Sequence, residues 1–248
     1  MADMPHYLIT GATGGIGRHL AHRLAASGAT LTLASRNLTT LESLAAELPG
    51  APGILSADLA TEAGAAQLAD ALAARPPVDG CAHLVGSLLL KPAHRTEFAQ
   101  WRAIQTTNLD SAFLVLKTIA SRHQAERRDG SIVLMSSVAA TLGLANHEAI
   151  AAAKAGIEGL VRAAAASYAG IGLRVNAIAP GLTETPLTAG LLGSEAARNA
   201  SAAMHPLGRI GTADDQAAAI AFLLSTESAW ITGQVLGVDG GLGRLRGR

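Results

Sequence analysis

Apolar residues along the chain follow two alternating spacings, one typical of buried strands and the other typical of helices. Short apolar runs such as residues 7–9 and 132–135 are followed by segments in which apolar side chains recur every three or four positions. Leu41, Leu44 and Leu48 form one such series, which stops at Pro49. The alternation predicts seven strands with helices between them.

The predicted strands lie at residues 7–9, 31–34, 54–55, 78–85, 131–136, 173–179 and 234–238. The predicted helices lie at residues 16–27, 41–48, 61–75, 97–124, 148–168 and 214–224. Such alternation implies a parallel sheet that is covered on both faces. A closed (β/α)₈ barrel is the alternative at this length, but barrels place their phosphate sites after the last strands, whereas here a glycine-rich turn follows the first. We therefore predict a Rossmann-like, doubly wound, seven-stranded parallel sheet in a single α/β domain over residues 1–248.

The glycine-rich turn reads Y-L-I-T-G-A-T-G-G-I-G over residues 7–17. Gly11, Gly15 and Gly17 follow the first strand, and the apolar spacing becomes helical directly after them. Glycine adopts backbone angles that other residues resist, and it lets a phosphate approach the free N–H groups at a helix start. The turn therefore predicts an anion site, and an ordinary tight turn is the alternative.

Composition excludes several functional classes. Of the 248 residues, 49% are hydrophobic and 15% are charged, and 19 basic side chains balance 19 acidic ones. A net charge of zero gives no electrostatic basis for binding nucleic acid or an anionic membrane. The single cysteine, Cys81, lies in an apolar run, which favours a buried thiol over a nucleophile. With no apolar run of about 18 residues and no signal-peptide pattern, we expect a cytoplasmic protein.

The glycine spacing T-G-x-x-x-G-x-G resembles that of the short-chain dehydrogenase/reductase family. Three later positions resemble the same family: Asn108 in T-N-L-D-S-A-F, Ser137 in I-V-L-M-S-S-V, and Lys154. The resemblance implies hydride transfer between a nicotinamide cofactor and a carbonyl or alcohol. It also implies that the serine steadies the substrate oxygen, the asparagine positions a water relay and the lysine holds the ribose.

The resemblance extends over nearly the whole chain. Pro180-Gly181 followed by Thr185 resembles the family segment that contacts the nicotinamide end of the cofactor. Residues 231–241, which read I-T-G-Q-V-L-G-V-D-G-G, resemble the last strand of the family.

The end of the second predicted strand indicates which nicotinamide cofactor is bound. It reads Ala34-Ser35-Arg36-Asn37. Dinucleotide folds specific for NAD place an acidic residue in this region, whereas an arginine accommodates the 2′-phosphate of NADP. Arg36, with no carboxylate beside it, predicts NADP(H) in preference to NAD(H). A solvated arginine after a strand is the alternative.

Asp58 follows the third predicted strand and resembles a family residue that bonds the adenine amino group, while a helix-capping aspartate is the alternative. The complete predicted cofactor site consists of Gly11, Thr13, Gly15, Ile16, Gly17, Ser35, Arg36, Asp58, Leu59, Lys154, Pro180, Gly181, Thr183 and Thr185. No metal ligand is predicted.

The chain departs from the family at the position of its proton donor. In the family, a tyrosine four residues before the lysine lies on the same helix face and exchanges the proton. Ile150 occupies that position here. Isoleucine cannot transfer a proton, and a positioned acid or base contributes about 10²- to 10⁴-fold in rate. Our candidate replacement is His147, since histidine titrates near neutral pH; a polar pair with Glu148 at a helix start is the alternative.

A second departure follows the fourth predicted strand, where the family usually reads N-N-A-G and this chain reads His83-Leu84-Val85-Gly86. His83 is a candidate for part of the hydrogen bonding of the family asparagine, and a satisfied core histidine is the favoured interpretation.

Residues 182–211 form a long segment with few charges, which we predict to be a substrate lid. Its leucines predict an apolar pocket and a small apolar carbonyl or alcohol as substrate. The resemblance implies a homotetramer or homodimer, formed through the helix after strand four and the helix of Lys154. Two functions stay open: an NADP(H)-dependent oxidoreductase with an altered active site, and a catalytically silent NADP(H)-binding sensor or accessory subunit.

Overall fold

A parallel sheet of seven strands forms the centre of the computed structural model, which describes residues 4–245. The strands are β1 (His6–Thr10), β2 (Thr30–Ser35), β3 (Gly53–Ser56), β4 (Gly80–His83), β5 (Gly130–Met135), β6 (Leu173–Pro180) and β7 (Val235–Val238). Their order across the sheet is β3-β2-β1-β4-β5-β6-β7, and every pairing is parallel. The predicted doubly wound sheet is confirmed.

Helices cover both faces of this sheet. They are α1 (Gly15–Ala26), α2 (Leu38–Glu47), α3 (Glu62–Ala73), α4 (Phe98–Gln105), α5 (Ser111–Glu126), α6 (Glu148–Tyr168), α7 (Glu195–Met204) and α8 (Ala213–Leu224). Successive strand residues face opposite sides, so that Leu8 packs with α3, α5 and α6 while Ile9 packs with α1, α2 and α8. Cys81 is buried in the first of these cores, as expected of a structural thiol.

Three elements differ from the sequence-based prediction. The fourth strand is confined to Gly80–His83, because the next residues pass close to the glycine turn rather than continuing the strand. The single helix predicted over residues 97–124 is observed as three consecutive segments, which are α4, one π-helical turn over Thr106–Asp110, and α5. Within the predicted lid lies α7, which the hydrophobic pattern did not reveal because none of its residues is buried.

The carboxyl ends of the parallel strands meet at one edge of the sheet. The strand order changes direction at β1, which pairs with β2 on one side and with β4 on the other. In open α/β sheets, ligands bind outside the strand ends at such a switch point. No helix within residues 4–245 combines the length and hydropathy needed to cross a lipid bilayer.

Candidate functional site

The glycine turn has the geometry of an anion cradle. Gly11 has φ +68°, and a side chain there would approach the backbone of Leu84. A Cβ at Gly17 would overlap the carbonyl oxygen of Gly11, so that the turn tolerates no side chain there. Helix α1 starts with Gly14 as its N-cap, without a side-chain cap and without an acidic residue in its first turn. Its first N–H groups are therefore available to a phosphate, and the cradle fits a dinucleotide.

The ends of β2 and β3 lie beside this turn. The hydroxyl groups of Thr13 and Ser35 are 2.8 Å apart and join the turn to β2. The exposed Arg36 side chain makes no hydrogen bond or ion pair with any residue of the described region, 4–245. A guanidinium without an acidic neighbour at this position suits a 2′-phosphate.

Asp58 follows β3 and is exposed. Its Oδ1 accepts a hydrogen bond from the Ala60 N–H at 3.1 Å, whereas the N-cap of α3 is Thr61. The interpretation of Asp58 as the helix cap is therefore wrong. Leu59, next to it, is buried in the core.

A cavity of about 450 Å³ lies at the same sheet edge. Its polar lining includes Asn108, Ser137, His147, Lys154, Thr183 and Thr185. Its apolar lining includes Leu88, Ile150, Leu182, Leu187, Leu191 and Met204. Ile16, Pro180 and Gly181 also line it, whereas the predicted contacts Gly11, Thr13, Gly15, Gly17, Ser35, Arg36, Asp58 and Leu59 lie outside it. The structure thus gathers the candidate catalytic residues and one end of the predicted cofactor site in one cavity.

Lys154 is the buried cation of this cavity, with only 6% of the residue exposed. Its Nζ donates a hydrogen bond to the carbonyl oxygen of Met135 at 2.8 Å. An ammonium has three donors, so that the remaining N–H groups are available to a ligand. Burial lowers the pKa of the Lys154 ammonium to about 8.

Asn108 is fully buried in the π-helical turn between α4 and α5, and such turns recur at functional sites. Its Nδ2 donates to the Ile104 carbonyl at 2.9 Å, and its Oδ1 accepts from the Ser87 N–H at 3.3 Å. A Cβ placed on Gly86 would lie 3.1 Å from Asn108 Oδ1 and 3.6 Å from Lys154 Nζ, which puts the amide close to the lysine.

Ser137 follows β5, and its Oγ accepts a hydrogen bond from the Ala139 N–H at 3.2 Å. This contact uses the oxygen as an acceptor, so that the hydroxyl proton can be donated into the cavity. The neighbouring Ser136 instead donates to Glu158 on α6 at 2.9 Å. Of the two serines, Ser137 is therefore the one suited to hold a substrate oxygen.

Ile150 and His147 both line the cavity at the start of α6. Ile150 is 3% exposed and packs with Ile104, Ala149 and Ala153. His147 is the N-cap residue of α6, and its Nδ1 lies 2.8 Å from the carbonyl oxygen of Ala145. Because a carbonyl only accepts, Nδ1 carries the proton of that bond and Nε2 is left for a ligand.

His83 is a satisfied core histidine, as favoured from the sequence. Its Nδ1 lies 2.8 Å from the hydroxyl of Thr10, and its Nε2 lies 3.0 Å from the hydroxyl of Ser111. Because Ser111 donates to the Thr107 carbonyl, it accepts from His83 Nε2, and the chain of bonds joins β1 and β4 to the turn of Asn108. Burial, and secondarily the charge of Lys154, lowers the pKa of His83 to about 3.

This buried ring predicts a specific loss of stability in acid. Between pH 6.5 and 3 the unfolded protein binds a proton at His83 that the folded protein does not, so that the free energy of unfolding falls by up to about 1.4 kcal/mol per pH unit. In His83→Asn this contribution disappears. Urea unfolding should therefore show the stability difference between wild type and variant shrinking by about 2 kcal/mol from pH 7 to pH 5. If the stability difference is the same at pH 7 and pH 5, His83 binds a proton over this range as readily in the folded as in the unfolded protein. The exposed change His94→Asn is the control.

The loop after β6 reaches back to the glycine turn. A Cβ on Gly15 would lie 3.0 Å from the side chain of Thr185. Thr188 Oγ1 donates to the Thr183 carbonyl at 2.5 Å and accepts from the Thr185 N–H at 3.1 Å. The loop therefore lies against the glycine turn, and Thr183 and Thr185 line the same cavity as Lys154.

Two polar residues of this region had no sequence signal. His205 is buried between α7 and the loop after β6, where its Nε2 accepts from the Leu182 N–H at 3.2 Å and its Nδ1 donates to the Ser201 carbonyl at 2.8 Å. Gln216, on α8, donates to Thr183 Oγ1 at 3.1 Å. Neither residue belongs to a recognisable motif, and only the folded chain brings them to the loop.

Comparison with known proteins gives consistent results. A family model described as enoyl-(acyl carrier protein) reductase matches residues 11–243. The inactive 2-(S)-hydroxypropyl-CoM dehydrogenase 2 of Xanthobacter autotrophicus is 38% identical over 228 residues, which cover 90% of this chain and 99% of that protein. The 3-oxoacyl-[acyl-carrier-protein] reductase FabG of Thermotoga maritima is 35% identical over 239 residues, covering 95% of this chain and 96% of the reductase.

A solved structure from Beutenbergia cavernae, of a protein assigned as an NAD(P)-dependent gluconate 5-dehydrogenase, holds NADP at low occupancy. It superimposes with a TM-score of 0.91 at 35% identity and covers 96% of each chain. The fold and the relatives therefore agree on one group of nicotinamide-dependent oxidoreductases.

Proposed function

Because this chain belongs to the short-chain dehydrogenase/reductase family, we propose that it is an NADP(H)-dependent oxidoreductase acting on a small apolar carbonyl or alcohol. The main support is the convergence of Lys154, Ser137 and Asn108 on one cavity beside an uncapped glycine turn. The nicotinamide, when bound, supplies or accepts the hydride.

The chain's own side chains have distinct proposed roles. The hydroxyl of Ser137 donates a hydrogen bond to the substrate oxygen, because its contact with the Ala139 N–H uses the oxygen as an acceptor and leaves the proton available. Lys154 holds the ribose with the donors that Met135 leaves unused. The buried amide of Asn108 lies close to the lysine, where its proposed role is to position a water relay. His147, with Nδ1 fixed on Ala145, delivers or removes the proton at Nε2 in place of the family tyrosine.

The cavity supports an apolar, uncharged substrate. No aspartate, glutamate or arginine of the described residues lines it, and leucines and Met204 form much of its wall. Leu187 and Met204 are each more than half exposed although they line the cavity, as expected for a lid that packs down on a ligand. Proposed lid residues 182–211 are held partly by an ion pair between Glu184 and Arg198 of α7. Lys154 is the only lysine or arginine among the described residues that lines the cavity, so that a charged sugar acid would have no arginine partner here.

Replacing Arg36 with aspartate tests the proposed cofactor. The substitution removes a charge-assisted bond to the 2′-phosphate and adds a repelling carboxylate, so that the Kd for NADPH should rise about 10- to 100-fold. The Kd for NADH should stay the same or fall, because the new carboxylate can accept from the ribose 2′-hydroxyl. Calorimetric titration of both cofactors into both proteins gives the two ratios.

Arg127→Asp is the matched control, since Arg127 is an exposed residue between α5 and β5, near the opposite edge of the sheet. Equal wild-type affinity for NADPH and NADH would overturn the cofactor preference. Absence of binding by both cofactors would overturn the proposed function itself.

A second function is favoured by two observations. Ile150 completes an apolar cluster at the position where the resemblance implies a tyrosine, and the relative from Xanthobacter autotrophicus is named inactive. These facts support a catalytically silent NADP(H)-binding protein that serves as a sensor or an accessory subunit. NADPH oxidation assays with a panel of uncharged ketones separate the two functions, provided that NADPH binding has been measured in the same sample.

The proposal includes assembly into a homodimer or homotetramer. A surface groove between α5 and α6 is lined by Phe113, Gly156 and Gly159, and Phe113 is 51% exposed. Small residues on α6 allow a second helix to pack closely against it. Burial of Phe113 in such an interface would remove its apolar surface from water.

A further inference from the structure

Gln216 is a polar side chain in an otherwise apolar part of α8. It is 1% exposed and has Ala213, Ala217 and Ile220 as buried neighbours on the same helix. Its Nε2 donates to Thr183 Oγ1 at 3.1 Å and to the Val238 carbonyl oxygen at 2.9 Å. Because a carbonyl only accepts, the amide nitrogen must face Val238, and the orientation of the amide is fixed.

The oxygen of the same amide is an orphan. Within residues 4–245, Gln216 Oε1 is buried without a hydrogen-bond partner. Gln216 lines a smaller cavity of about 270 Å³, which Asp239 and Gly241 also line. An unpaired buried acceptor lowers stability, and an apolar side chain of similar length would avoid this cost. The two hydrogen bonds of Gln216 Nε2 are therefore made at the cost of a buried, unpaired oxygen on the same amide. A local rule broken in this way points to function.

The hydrogen bonds of Gln216 end in the loop after β6. Thr183 receives the Gln216 amide on Oγ1 and donates from the same hydroxyl to the Gly181 carbonyl at 3.2 Å. The Thr183 carbonyl in turn receives the hydroxyl of Thr188, which also accepts from the Thr185 N–H. Gln216 thus joins Thr183 to Val238 at the end of β7 through the two hydrogen bonds of its amide nitrogen. Thr183 and Thr185 line the main cavity.

We propose that Gln216 is a positioning residue that holds the loop of Thr183 and Thr185 in the conformation that binds the nicotinamide end of the cofactor. The inference rests on the proposed function, in which this loop contacts the nicotinamide. Gln216 itself does not line the main cavity, and it acts only through Thr183 and Val238.

The test compares wild type with Gln216→Met, Thr183→Val and the double variant. Methionine keeps the length of the side chain and removes both the donor and the orphan oxygen. Calorimetry measures Kd for NADPH and for 2′,5′-ADP, a probe of the adenosine half alone, and thermal unfolding without ligand gives Tm.

We expect Gln216→Met to raise the Kd for NADPH about five- to tenfold, the size expected for the loss of the hydrogen bond that holds Thr183. The Kd for 2′,5′-ADP should not change, and the Tm should stay close to that of wild type, because the two lost hydrogen bonds and the removed unpaired oxygen have opposite effects on stability. Thr183→Val should give a similar loss, and the two losses should not add in the double variant, because both changes remove the bond between Gln216 and Thr183.

Three results would overturn the inference. The Kd of Gln216→Met for NADPH could equal that of wild type, its affinities for NADPH and for 2′,5′-ADP could fall by the same factor, or its Tm could fall by several degrees together with its affinity for NADPH. If wild type binds neither nucleotide, the proposed function fails. This outcome is distinguishable from the three above because it is measured on the wild-type protein alone.

Discussion

Replacing His147 with alanine is expected to lower kcat for NADPH-dependent ketone reduction by about 100-fold or more, while the Kd for NADPH stays unchanged. The ring lines the cavity, and with Nδ1 held by the Ala145 carbonyl, Nε2 is the only nitrogen free to reach a substrate. The substitution removes the proposed proton donor and none of the proposed cofactor contacts. Steady-state assays at the NADPH absorbance band measure kcat, and calorimetry measures Kd.

His94→Ala is the matched control, because His94 is an exposed histidine in the loop after β4 and does not line the cavity. Its kcat should remain that of wild type. An unchanged kcat in His147→Ala would contradict the assignment of His147 as the proton donor.

The Ile150→Tyr variant separates the two proposed functions. Ile150 lies one helical turn before Lys154 on α6, so that a tyrosine there would place its hydroxyl near the lysine. If wild type already reduces ketones and loses this activity in Lys154→Ala, the oxidoreductase proposal is supported. If activity arises only after tyrosine is introduced, the natural protein is a silent binder of the nucleotide.

The fold could be predicted from the sequence because the patterns that indicate its strands and helices each lie within a short stretch of the chain. Parallel strands buried on both faces appear as short apolar runs, and the helices that cover them carry apolar stripes, as at Leu41 and Leu44. Helix α6 was predicted with its observed bounds, Glu148–Tyr168, because its apolar spacing is continuous. Helix α7 was missed because none of its residues is buried and its apolar positions are mostly alanine, so that no stripe of large apolar side chains marks it.

The site was only partly readable. Residues close to a glycine turn or a strand end, such as Gly11 and Arg36, have positions that the strand-turn-helix order fixes in advance. His205 and Gln216 act on the loop after β6 from 23 and 33 residues away in sequence, through single hydrogen bonds. Such contacts leave no periodicity or spacing, and they become visible only when the loop is folded against α7 and α8.

Replacing Lys154 with methionine is expected to stabilise the protein without ligand at pH 7 and to weaken NADPH binding severely. The folded protein buries the ammonium with one hydrogen-bond partner, the Met135 carbonyl, and burial lowers its pKa to about 8. Methionine fills the same space without a charge, so that the free energy of unfolding should rise by at most about 3 kcal/mol. For a domain of this size each kcal/mol raises Tm by about 2–4 °C. Retention of the lysine at this cost is expected if its role is ligand binding.

The free energy of unfolding is also expected to depend on pH in a direction that the buried ammonium determines. Because the pKa of Lys154 is lower in the folded than in the unfolded protein, the unfolded protein binds more protons between about pH 8 and pH 10.4, and wild-type stability should rise with pH across that window. Lys154→Met should lack this rise. Burial raises the pKa of Tyr7, which opposes the trend near pH 10 in both proteins, so that the difference between the two urea-unfolding curves isolates the lysine. Lys117→Met, an exposed change on α5, should follow wild type at every pH. A methionine variant less stable than wild type at pH 7 would show that the ammonium stabilises the cavity, and the lysine would then be a structural residue rather than one kept for its ligand.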